Sequence, residues 1–89
     1  MNEKRIARLE SLLNQAFNLR SLEIEDQSHL HAGHAGAKDG KAHFRLMIVA
    51  DEFAGLSPIK RHQLVYAAVG DMMNTDIHAL IIDARPPGD

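Results

Sequence analysis

Residues 42–50 read AHFRLMIVA, and this stretch decides the fold. Phe44, Leu46 and Ile48 alternate in one direction, while Met47 and Val49 make the other side apolar too. A period of two marks a strand, and apolar residues on both sides mark a strand covered by neighbours. This segment is therefore expected at the centre of a small sheet. Upstream, Leu22, Ile24 and Asp26 alternate with Glu23, Glu25 and Gln27, the pattern of a strand with one wet face. Between the two lies Ser28 to Gly40, SHLHAGHAGAKDG, whose small residues and three glycines build no packed element. Strands joined in this way form an antiparallel pair, and the connection is expected to be the most mobile internal segment.

Working outward, residues 2–18 read as a helix. Asn2 stands at the N-cap position and Glu3 in the first turn, with Ile6, Leu9, Leu13, Ala16 and Phe17 along one face. Downstream, Asp51 to Gly55 breaks the central strand, with Asp51 and Glu52 read as solvated turn residues. Ser57 and Pro58 then start a second helix, Ser at the N-cap and Pro at the first helical position. Its pattern runs to about Asn74, with a core face of Ile59, His62, Val65, Tyr66, Val69, Met72 and Met73. Ile77 to Ala84, IHALIIDA, is a last strand, and residues 85–89, RPPGD, form a flexible tail. The elements describe one α+β domain over residues 1–89, a three-stranded sheet with helices on one face.

Composition narrows the function. The 89 residues are 45% hydrophobic and 25% charged, which fits a folded domain and excludes a disordered charged chain. No apolar run approaches the roughly 18 residues of a membrane span, so no membrane partner is expected, and the cytoplasm is the expected compartment. A net charge of −2 gives no electrostatic footprint for nucleic acid. Cysteine is absent, which removes thiol nucleophiles and any site made of this chain's own thiolates.

Histidine stands out, with six residues, three of them close together at His29, His31 and His34. Imidazoles in a Gly/Ala-rich connection can converge on zinc, copper, iron or nickel, or they can stand exposed without a role. His43 opens the central strand and reads as a solvated edge residue. His62 falls on the apolar helix stripe and reads as a buried structural histidine, leaving Arg61 exposed. His78 occupies a strand position that favours β-branched residues. Lys60 and Arg61 make one small basic spot able to touch a phosphate. Gly33-His34-Ala35-Gly36 matches the GxxG string of nucleic-acid clamps, but it lies between strands rather than helices. No motif of a nucleophilic or phosphate-binding enzyme is present.

Several of these segments, in order and spacing, resemble the BolA family. They are Ser28-x-x-His31, His43-Phe44, Asp51-x-Phe53-x-Gly55-Leu56-Ser57, Arg61-His62-Gln63-Leu64-Val65-Tyr66 and Ile77-His78-Ala79-Leu80. The resemblance spans roughly residues 22–84. It departs at Gln63, where the family often has Arg, and in the tail, Arg85-Pro86-Pro87, which lacks the usual acidic and aromatic ending.

The resemblance implies a class II KH-like fold of order α-β-β-α-α-β, with the extra short helix at Asp51 to Leu56. It also implies a non-enzymatic iron–sulfur assembly and trafficking adaptor that shares a [2Fe-2S] cluster with a monothiol glutaredoxin and glutathione. Its ligands would be His31 and His78, and no cofactor is expected on the isolated chain; His29 and His34 are left either as auxiliaries or as exposed residues without a role. The chemistry is consistent with that implication, because two imidazoles can hold one iron while thiolates from elsewhere hold the other. Two other readings stand beside it. One is a DNA-binding transcriptional regulator using Lys60 and Arg61. The other is a stand-alone metal protein using His29, His31 and His34.

Overall fold

The computed structural model describes residues 2–28 and 40–88. His29, His31, His34, the GxxG string and the expected mobility of the connection lie outside the described residues. The chain forms α1 (Glu3–Ala16), β1 (Leu19–Asp26), β2 (Ala42–Ala50), a 3₁₀ turn (Asp51–Phe53), α2 (Pro58–Val69), α3 (Met72–Thr75) and β3 (Ile77–Arg85).

The sheet order is β1-β2-β3, so AHFRLMIVA is the central strand, as its two-sided apolar pattern requires. β1 runs antiparallel to β2, and β3 runs parallel to it. The parallel pairing follows from the α2–α3 crossover, which carries the chain back to the end of the sheet where β2 begins. Ala42, Phe44, Leu46, Ile48 and Ala50 are all buried on one face. Against that face pack Leu9 and Leu13 of α1, Val65 and Val69 of α2 and Met72 of α3, so the helices cover one side of the sheet. The opposite face keeps Glu23, Glu25, Arg45 and Ile81 exposed.

Several element boundaries and one cap differ from the sequence expectation, α1 among them, since it ends at Ala16. Asn2 sits at the N-cap position of α1, but its side chain makes no cap bond. It reaches instead to Asp26 and Ser28, at the far end of β1. The second helix stops at Gly70, which has φ +62° and ψ −132°, a conformation that strains any residue with a Cβ. Residues 72–75 then form a separate short helix. The segment read as a break, and by resemblance as a short helix, contains a 3₁₀ turn that buries Phe53 completely. β3 runs one residue further than read, through Arg85.

The start of α2 is as expected: the Ser57 hydroxyl accepts the backbone N–H of Lys60 at 3.3 Å, and Pro58 takes the first helical position. Its buried face is rotated from the one expected. Val65 and Val69 are buried, but Ile59 and Tyr66 are 71% and 42% exposed, and His62 is exposed. The helix carries two adjacent faces, 61-65-68-69 and 59-62-66, and only the first faces the sheet.

Arg61 and His62 therefore exchange the roles expected of them. The Arg61 guanidinium is half-buried, with Nε donating to Leu56 O at 3.0 Å and Nη1 to Ala84 O at 3.1 Å. It ties the turn before α2 to the edge strand β3. Arg61→Ala is expected to lower stability by about 1–3 kcal/mol, because it leaves two carbonyls without their donors. His62→Ala, on an exposed face, should stay within about 0.5 kcal/mol of wild type. Urea denaturation of both variants checks the order, and a larger loss for His62→Ala would contradict it.

Candidate functional site

Both β2 and β3 carry a histidine at their second position, His43 and His78. Because the strands are parallel neighbours, these positions meet at one end of the sheet. The ladder pairs Ala42 with Ile77 but His43 with Ala79, so His78 is an extra residue in β3. Such a bulge re-aims a side chain out of the regular alternation. His78 is exposed, and its ring centroid lies 5.1 Å from that of His43, with the planes 49° apart.

His43 is only 5% exposed, so it is not the solvated edge residue expected from its place in the strand. The chain leaving β1 is bonded to its backbone. Gln27 N–H donates to His43 O at 2.8 Å, and His43 N–H donates to Ser28 Oγ at 3.1 Å. These bonds bring the root of the histidine-rich segment against the pair. His31 and its neighbours His29 and His34 belong to residues 29–39, outside the described residues, so the distance between His31 and His78 is outside them too. Among the described residues no group of three or more metal-ligating side chains converges. The pair contributes two imidazoles and no thiolate, since the chain has no cysteine.

Several acidic residues are bound into the frame. Asp76, two residues before His78, is held below its ordinary carboxylate range first by the Thr75 hydroxyl and then by Arg5. Asp51 is held low first by its bond from Arg20, at 2.9 Å, and it also accepts from Asn18. Glu52 accepts the backbone N–H of Asn18 at 3.0 Å. Asp51 and Glu52 thus clamp the start of β1 to the 3₁₀ turn while Glu52 stays exposed, as expected of a turn residue. Of the two residues expected to touch phosphate, Lys60 is exposed, whereas Arg61 uses Nε and Nη1 within the fold.

Fold and site define a three-stranded mixed α+β domain that presents a histidine pair at the end of its central and edge strands. The chain belongs to the BolA-like protein family, whose model matches residues 13–89. Among solved structures it is similar to the BolA domain of SufE1 from Arabidopsis thaliana. The identity is 42%, the TM-score is 0.83, and 93% of this chain and 92% of that chain are covered. Among relatives, it is 39% identical to "Protein BOLA1, chloroplastic" of Arabidopsis thaliana, covering 98% of this chain and 56% of that protein. It is 41% identical to "BolA-like protein 1" of Bos taurus, covering 91% and 58%. The chain thus spans a little over half the length of these two relatives. Among the described residues no helix is long and apolar enough to cross a membrane. The first relative is named chloroplastic, so it lends no support to the expected cytoplasmic location.

Proposed function

We propose that this protein is an iron–sulfur assembly and trafficking adaptor that shares a [2Fe-2S] cluster with a monothiol glutaredoxin, with His78 and His31 as its ligands. The observation that carries this reading is the bulge that lifts His78 out of the β3 ladder and seats it against His43. A strand that sacrifices ladder regularity to aim an exposed imidazole is a device for ligation more than for packing. Membership of the BolA-like family supports the same reading.

The donor set fits half of a cluster. Two imidazoles suit one iron, and a chain without cysteine leaves the other iron to thiolates of the glutaredoxin and glutathione. Chain length also permits the pairing. His31 follows Ser28 by three residues, which reach at most about 11 Å, and Ser28 Oγ is bonded to the backbone of His43. His43, packed against His78, restricts the rotation of that ring and so reduces the ordering entropy lost on binding. The protein acts as a carrier and turns over no substrate.

The test is anaerobic reconstitution of the full chain with a monothiol glutaredoxin, glutathione, iron and sulfide, read by visible absorbance and circular dichroism. The expected result is a spectrum that differs from that of the glutaredoxin alone and co-elutes with both chains. A glutaredoxin spectrum unchanged by this protein, with no co-elution, overturns the proposal.

A further inference from the structure

A polar network at the end of the sheet ties α1 to the strands that carry both histidines. The Arg5 guanidinium bonds three partners, one at the start of its own helix and two on other segments: Asn2 Oδ1 at 3.0 Å, Gly40 O at 2.9 Å and Asp76 Oδ1 at 3.2 Å. Gly40 lies three residues before His43, and Asp76 two residues before His78. Asp76 O in turn accepts Ala42 N–H at 2.8 Å, which joins the starts of β2 and β3 directly before the register slips. From the other side, Asn2 Nδ2 donates to Asp26 Oδ2 at 2.9 Å and to Ser28 Oγ at 3.3 Å, and that same Oγ holds the backbone N–H of His43.

We propose that Arg5 is a positioning residue for the histidine pair, holding the β2 and β3 ends at one point on α1 so that the His43 and His78 rings keep their approach. The functional meaning rests on the adaptor reading given above. The physical need comes from the bulge. A strand with an extra residue can shift its pairing by one place near its end, and a one-place shift turns a side chain to the other face. The Arg5–Asp76 contact pins β3 immediately before that point.

Arg5 and Asp76 have side chains only 29% and 22% exposed, so their bond is shielded from water on more sides than a surface pair. Arg20–Asp51, at 62% and 34%, lies at the opposite end of β1 and provides the comparison. Arg8 adds a second, more exposed bond to Asp76 at 3.3 Å. It reaches neither Gly40 nor Asn2 and cannot replace the three-way tie.

The experiment uses the full chain as Arg5→Ala, Asp76→Asn and the remote control Arg20→Ala. The first reading is the set of nuclear Overhauser cross-peaks between the His43 and His78 rings, with thermal melting recorded alongside. The second is cluster retention with the glutaredoxin. In Arg5→Ala and Asp76→Asn the inter-ring cross-peaks should be lost or strongly weakened in a folded chain, and cluster retention should fall about tenfold, as for other residues that orient a metal ligand. Arg20→Ala should keep wild-type cross-peaks. If Arg5→Ala does not fold, Asp76→Asn decides by the same readings. Wild-type cross-peaks in folded Arg5→Ala or Asp76→Asn overturn the positioning role. A wild-type chain that takes up no cluster overturns the adaptor reading instead, and the cross-peaks of the cluster-free chain still decide the role of Arg5.

Discussion

His78→Ala should abolish the histidine-ligated cluster with the glutaredoxin, leaving the spectrum of the glutaredoxin alone. His78 is the ligand that the fold presents in advance. It sits in a strand, is displaced outward by a bulge and rests against a buried ring. A ligand already held in place loses little ordering entropy on binding, so its removal is not made good at equal cost. His31 is flanked by His29 and His34 in sequence, so His31→Ala should retain part of the binding through a neighbour. His78→Cys separates ligation from packing. A thiolate can hold iron, so this variant should keep a cluster with a shifted spectrum and a lower reduction potential. Visible absorbance and electron paramagnetic resonance of each reconstituted complex give the comparison. A His78→Ala complex with the wild-type spectrum would remove His78 from the ligand set. Because His78 is exposed, the loss should come without a large change in melting temperature.

The histidine pair also marks how far the sequence could be read. The central strand was legible because both its faces are apolar, and that pattern has few physical explanations. The start of α2 was legible because Ser57 and Pro58 satisfy the N-terminal requirements locally. His43 was not, because it lies on the strand face opposite the core and its burial is a tertiary effect that no periodicity records. A signal was nevertheless present: histidine is the second residue of two strands that turn out to be parallel neighbours. Parallel pairing would have placed the two side by side, but the one-residue slip that aims His78 is a tertiary feature. The exchange of Arg61 and His62 has a similar origin. The expected face of α2 joined two neighbouring stripes, Ile59, His62 and Tyr66 with Val65 and Val69, and only the second is buried. The stripe that faces the sheet instead places an arginine where two carbonyls await donors, at Leu56 and Ala84.

Phe53→Ala should be the most destabilising single substitution named here, at about 3–5 kcal/mol. Periodicity does not mark Phe53 as core, because DEFAG breaks a strand and carries no period, and only the motif Asp51-x-Phe53-x-Gly55 singles it out. In the fold, the 3₁₀ turn swings Phe53 beneath the sheet to complete burial, with its ring 5.1 Å from that of Phe17 and tilted by 50°. Phe17 closes the C-terminal end of α1, so the pair seals the end of the core opposite the histidines. Truncation to alanine loses the transfer free energy of the ring and leaves a cavity between elements that cannot collapse. The turn is held by Asn18 and Arg20 through Asp51 and Glu52, and α1 is held by Leu9 and Leu13. Domains of this size have only about 5–15 kcal/mol of stability in total, so the loss approaches the lower end of that range. The melting temperature should fall by at least about 12 °C, given roughly 4–8 °C per kcal/mol for a chain of this length. Phe53→Leu keeps most of the volume and should lose clearly less. Thermal and urea unfolding of the two variants decide the matter. A loss below about 1 kcal/mol for Phe53→Ala would show that the turn rides on the domain without belonging to its core, and that the Phe17 end is closed by something other than this ring pair.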